Sequence, residues 1–161
     1  MQTSFTENQL KDKDNRTSET IIRKCVHCGM CNATCPTYGI NGEELEGPRG
    51  RIYLIKDMLE NKKPATKQIA KHIDSCLSCY SCMTTCPSGV NYMHLIDHGR
   101  NYVEETYKRP FFDRLFRNIL SFVLPRPKVF LLMALSSKII KPFSFLFPKF
   151  LKNALNLMPD K

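Results

Sequence analysis

Two short segments hold every cysteine of the chain. Cys25, Cys28, Cys31 and Cys35 lie in CVHCGMCNATCP, and Cys76, Cys79, Cys82 and Cys86 lie in CLSCYSCMTTCP. Both read C-x2-C-x2-C-x3-C-P, and the second repeats the first 51 residues later at every cysteine. This internal repeat constrains the fold more than any other feature, because eight thiols at these intervals must converge on something.

The spacing matches iron–sulfur ligation. A 4Fe-4S cube offers four irons, each taking one thiolate. Three cysteines at x2 intervals reach three corners of one cube from a tight loop. In two-cluster ferredoxins the fourth, after x3 and before Pro, ligates the other cube. The expected ligand sets are therefore Cys25, Cys28, Cys31 with Cys86, and Cys76, Cys79, Cys82 with Cys35. Zinc is the alternative, but it takes its four ligands from C-x2-C pairs, and here each run holds four cysteines and a closing Cys-Pro. Structural disulfides fit a reducing compartment poorly. With eight thiolates available, His27 is not needed as a ligand, and His27, His72, His94 and His98 are expected as surface or packing residues.

Composition excludes two classes. Residues 1–20 are polar and mixed in charge, unlike a secretory leader. The longest apolar run, Val129–Leu135, is far short of the ~20 residues a membrane span needs. The expected location is the cytoplasm, with attachment at the inner face of the cytoplasmic membrane open. No nucleic-acid-binding module accompanies the basic residues, so no nucleic acid is expected as a partner.

Residues 1–19 carry almost no apolar side chains and read as a flexible arm. Between the motifs, EGPRGRIYLIKDMLEN places Pro48 near a helix start and spaces Ile52, Ile55 and Leu59 as on one helix face. A shorter helix fits 65–75, and another fits 90–107. No sustained period-two run of β-branched residues suggests strands. The expected fold is all-α: a ferredoxin-like domain over 20–107 (motifs at 25–36 and 76–87) with two 4Fe-4S clusters, then a basic, apolar helical tail over 108–161.

Charge divides the chain. Residues 99–161 hold twelve lysines and arginines against four acids, nearly the whole of the formal +9. Leu115, Phe116, Ile119, Leu120 and Val123 form one helical stripe in this tail, with Arg114, Arg117, Asn118 and Ser121 off it. Pro125 and Pro127 end that helix, a second starts near Val129, and Pro142 and Pro148 punctuate a Phe-rich stretch. The tail is expected to pack on the core or a partner, with peripheral contact to an anionic membrane as the alternative.

The strings CVHCGMCNATCPTY, GEELEGPRGRIYLIKDMLE, CLSCYSCMTTCPSGV and HLIDHGR resemble the iron–sulfur subunits of bacterial glycolate oxidases (glycolate dehydrogenases). The resemblance runs from about Cys25 to Arg100 and continues loosely through VLPRPKVF. It implies a subunit that takes electrons from flavoprotein subunits oxidising glycolate to glyoxylate, or D-lactate to pyruvate, and passes them toward a quinone-type acceptor. That family continues into cysteine-rich CCG-type repeats, whereas Cys86 is the last cysteine here. The chain is therefore expected to be a fragment, half of a split gene or a shortened relative, with a separate CCG-type chain as a further partner. Iron–sulfur subunits of the glycerol-3-phosphate dehydrogenase and heterodisulfide reductase types share the two motifs. A structural or oxidant-sensing iron–sulfur protein is the alternative outside electron transfer. Two complete ligand sets favour transfer, and no nucleophile–base pair or glycine-rich nucleotide loop suggests a substrate site on this chain.

Overall fold

The computed structural model describes residues 1–140. It is helical throughout, with no strand among the described residues, and the chain divides into two units after Lys108. The first unit contains α1 (Lys13–Lys24), α2 (Pro36–Asn41), α3 (Pro48–Asn61), α4 (Lys67–Asp74), α5 (Ser81–Thr85) and α6 (Tyr92–Thr106). Short 3-10 turns at Met30–Asn32 and Glu44–Glu46 link the first motif to α3.

The helix boundaries follow local chemistry. Pro48 opens α3, where its fixed φ suits the helix and its missing N–H would have no partner anyway. Thr66 caps α4 by accepting from the Ile69 N–H at 3.2 Å, and Asn91 caps α6 by accepting from the His94 N–H at 3.4 Å. The Asn91 cap explains why the expected 90–107 helix begins at Tyr92.

Helices α1, α3, α4 and α6 close over a small core in which Ile22, Ile55, Met58, Ile73, Leu95 and Val103 are fully buried. Two glycines permit its closest approaches. A Cβ on Gly99 of α6 would meet Ile55 Cδ1 of α3 at 2.8 Å, and one on Gly50 would meet Leu45 Cα at 2.8 Å.

The first nineteen residues differ from the flexible arm expected of them. The Met1 amino group donates to the carbonyls of Ile22 (3.4 Å), Arg23 (3.3 Å) and Cys25. Gln9 is buried and donates to the carbonyls of Leu59 (2.9 Å) and Glu60 (3.0 Å), near the end of α3. Buried Ser18 hydrogen-bonds His98 Nδ1 at 2.7 Å. The segment is held by polar groups that satisfy helix-end carbonyls and by Met1 and Phe5, which pack against the core, so few apolar residues are enough.

A buried ion pair crosses the interior beside the second motif. Arg51 and Glu46 are 1% and 2% exposed, with Nη2 to Oε2 at 2.9 Å. His72 Nδ1 donates to Glu46 Oε1 at 2.7 Å, Ser75 Oγ donates to Glu46, and Arg51 Nε donates to the His72 carbonyl at 2.7 Å. Burial alone would raise the Glu46 carboxyl, but the hydrogen bonds from Ser75 and His72 and the Arg51 charge together hold it below the usual range. That contribution is present above the ordinary carboxylate pKa and disappears as pH falls through the lowered one. Replacing Arg51 with Met leaves the carboxylate buried without its cation. The expected loss is ~3–5 kcal/mol, read as a lower denaturant midpoint of the cluster-loaded protein. An unchanged midpoint would show that the pair is dispensable.

The second unit contains α7 (Phe111–Val123) and α8 (Pro127–Ile140), which meet at 111° across the Pro125 break. Among the described residues no single helix is long and apolar enough to cross a membrane; this bent pair passes only when the two are taken together. Asp113 pairs with Arg109 at 3.5 Å and Arg117 at 3.4 Å along α7. The stripe residues Leu115, Phe116, Ile119 and Leu120 are exposed, as are Phe111 (73%) and Phe112 (82%), and Val123 is buried. Pro142, Pro148 and the Phe-rich stretch lie outside the described residues.

Candidate metal centre

Each cysteine motif wraps one loop with the same backbone signature. His27 and Ser78, 51 positions apart, both lie in the left-handed region (φ 61° and 52°). So do Gly29 (φ 82°) and Tyr80 (φ 56°), also 51 apart. A left-handed non-glycine residue costs roughly 1–3 kcal/mol and persists where its surroundings impose it. The repeat in sequence is thus a repeat in backbone conformation. Gly29 carries a second requirement: a Cβ there would meet the Arg49 guanidinium carbon at 3.0 Å.

The loops enclose two cavities. The first, about 430 Å³ including its open mouth, is lined by Cys25, Cys28, Cys31, Cys82 and Cys86. The second, about 300 Å³ on the same measure, is lined by Cys35, Cys76, Cys79 and Cys82. Cys82, Pro48 and Tyr92 line both. The fourth cysteine of each motif therefore lies on the cavity of the other motif. All eight cysteines are free thiols; Cys25 and Cys82 are buried, and Cys28 and Cys79 are exposed at the rims.

The donor set fits a thiolate-ligated metal. Burial pushes the Cys31 thiol up to about 11 and the Cys82 thiol up to about 12. Neither would ionise in a metal-free cavity at neutral pH, whereas a bound cation deprotonates a coordinating thiol outright. The backbone N–H and hydroxyl of Ser81 lower the exposed Cys79 thiol. His27 Nδ1, on the wall of the first cavity, is buried with no hydrogen-bond partner among the described residues. An orphaned polar nitrogen facing a thiol-lined space is what a missing sulfur-rich group leaves behind.

Residues 21–90 match the family model described as the 4Fe-4S dicluster domain. This segment is a 4Fe-4S dicluster domain. It takes two 4Fe-4S clusters, in agreement with the number of cysteines and cavities. The chain is also a homologue of the glycolate oxidase iron-sulfur subunit of Escherichia coli (strain K12), 48% identical over 143 residues, which are 89% of this chain and 35% of that protein. The probable glycolate oxidase iron-sulfur subunit of Bacillus subtilis (strain 168) is 32% identical over 117 residues, covering 70% of this chain and 26% of that protein. A succinate dehydrogenase iron-sulfur subunit from Paracoccus denitrificans is 29% identical over 99 residues, 54% of this chain and 38% of that one. The chain thus spans about a third or less of the two glycolate oxidase relatives. No solved structure matches.

Several contacts around the two cavities join positions whose pairing has no signature in the sequence. Tyr92 is 3% exposed and its hydroxyl lies 3.9 Å from Cys76 Sγ. Thr37 Oγ1 lies 3.2 Å from Cys35 Sγ and accepts from Arg51 Nη2 at 3.1 Å. Arg100 donates to Ser78 Oγ and to the Cys76 carbonyl, each at 2.6 Å, bracing the second loop. Only the cysteine spacing is local; these partners come from positions up to 24 residues away in the chain.

Proposed function

We propose that this chain is the electron-transfer part of a glycolate-oxidising complex, carrying electrons from flavoprotein subunits toward a quinone-type acceptor. One observation carries the reading: two cysteine-lined cavities share a wall of Cys82, Pro48 and Tyr92. In this reading Cys25, Cys28, Cys31 and Cys86 hold one cluster, and Cys76, Cys79, Cys82 and Cys35 hold the other. Cys82 also lines the first cavity, but its motif position assigns it to the second.

A bound cube supplies one-electron redox chemistry. The chain's own residues fix each cube on four thiolates and shield it with the buried core. They leave Cys28 and Cys79 near solvent as the two approach points for electrons. Val26 (68% exposed) and Leu77 (67%), the residues preceding His27 and Ser78 in the two loops, offer an apolar rim at each approach. Oxidation of a hydroxy acid to its keto or aldehyde form releases two electrons, and two one-electron centres can take both. The organic step falls to a flavin on a partner.

The exposed apolar surface of α7 and α8, flanked by Arg114, Arg126 and Lys128, suits contact with those flavoprotein subunits, a CCG-type chain or an anionic membrane surface. Similarity to the two glycolate oxidase subunits supports glycolate as the substrate of the complex.

The test is anaerobic addition of glycolate to the chain co-purified with its flavoprotein partners. Bleaching of the iron–sulfur absorption, lost when the flavoproteins are omitted, is expected. Reduction by glycerol 3-phosphate but not by glycolate or D-lactate would reject the glycolate assignment.

A further inference from the structure

Tyr92 lines both cavities but hydrogen-bonds a cysteine of only one. Its ring lies at the start of α6 in the wall common to both cavities, and the residue is buried. A buried phenol keeps a hydrogen-bond partner, and the partner of this one is Cys76 Sγ at 3.9 Å. The 51-residue repeat relates position 92 to Asn41, which is exposed at the end of α2. The repeat-related position therefore offers no counterpart to this phenol.

Resting on the ligand assignment above, we propose that the Tyr92 hydroxyl donates a hydrogen bond to Cys76 Sγ and raises the reduction potential of the cluster held by Cys76, Cys79, Cys82 and Cys35. Reduction adds one negative charge, spread over the cube and its sulfurs. A donor at a ligand sulfur stabilises that added charge more than it stabilises the oxidised form. The hydroxyl therefore favours the reduced state of one cube only, biasing an electron shared between the two toward the second cavity.

Tyr92→Phe keeps the ring that fills the wall and deletes only the oxygen. The experiment is an EPR-monitored redox titration of the full chain, loaded anaerobically, as wild type and as Tyr92→Phe. Cys79→Ser labels the second cluster, because only the spectrum of the cube it ligates changes. In Tyr92→Phe the labelled cluster should become harder to reduce by about tenfold, about 59 mV for one electron, while the other stays in place. Pulsed EPR in deuterated water should also show an exchangeable-proton coupling on that cluster in the wild type and not in the variant. Both potentials unmoved in fully loaded protein, or a shift of the other cluster alone, would overturn the role of Tyr92. A wild type that loads zinc or a single cube would overturn the ligand assignment and the inference with it.

Discussion

Replacing Cys86 with Ala should remove the cluster of the first motif, and replacing Cys35 with Ala should remove the cluster of the second. Iron in anaerobically prepared protein should fall from about eight per chain to about four in either variant, since each cube has four irons. The expectation comes from the lining of the cavities. Cys86 follows the second motif's loop yet lines the cavity of Cys25, Cys28 and Cys31, and Cys35 lines that of Cys76 and Cys79. Cys35 opens α2 and Cys86 closes α5, so each is carried away from its own loop by the turn of chain that ends the motif. The two variants are distinguished by the surviving spectrum. Cys35→Ala should retain the signal that Cys28→Ser perturbs, and Cys86→Ala the signal that Cys79→Ser perturbs. The reverse pattern would mean that each motif ligates its own cube.

The parts of this arrangement that could be read in advance are those written locally. Eight cysteines in a fixed spacing announce the two 4Fe-4S clusters. The spacing of Ile52, Ile55 and Leu59 behind Pro48 announces α3, which runs Pro48–Asn61. The helices expected at 65–75 and 90–107 appear as Lys67–Asp74 and Tyr92–Thr106, each shortened by its capping residue. The parts that could not be read are polar contacts between distant positions. Gln9 meets the end of α3 across 50 residues, and Arg51 reaches the His72 carbonyl across 21. Such contacts have no period, because a single hydrogen bond places one residue rather than a face. Polar residues at 1–19 therefore suggested solvent, although they satisfy carbonyls that α3 and α1 leave open. Tyr92 was hidden for a related reason: in sequence it is one aromatic on a helix, and only the fold brings its hydroxyl to Cys76.

Stripping the iron should cost residues 1–108 their cooperative fold. The core is small, built around Ile22, Ile55, Leu95 and their neighbours, and Cys25, Cys82, Tyr80 and Met83 of the two motifs pack against it, so the thiols the clusters hold are part of the core's own packing. With iron absent, the cavities lose their contents and the left-handed residues His27, Ser78 and Tyr80 keep their conformational cost without the bonds that impose it. In the ligand sets proposed above, each cube ties a loop to a distant cysteine: Cys86 lies 61 positions from Cys25, and Cys35 lies 41 positions from Cys76. Opening such a cross-link returns the chain entropy of a long loop to the unfolded state, on the order of 4 kcal/mol for each tie by analogy with a disulfide. Two ties lost together are comparable to the whole ~5–15 kcal/mol stability of an ordinary domain. Metal binding free energy is then folding free energy. Chelation under anaerobic conditions should abolish the sharp thermal transition, leaving helical signal that melts gradually, and reconstitution with iron and sulfide should restore it. A cluster-free protein that melts cooperatively at the temperature of the loaded form would show that the helices of the first unit stand without their clusters.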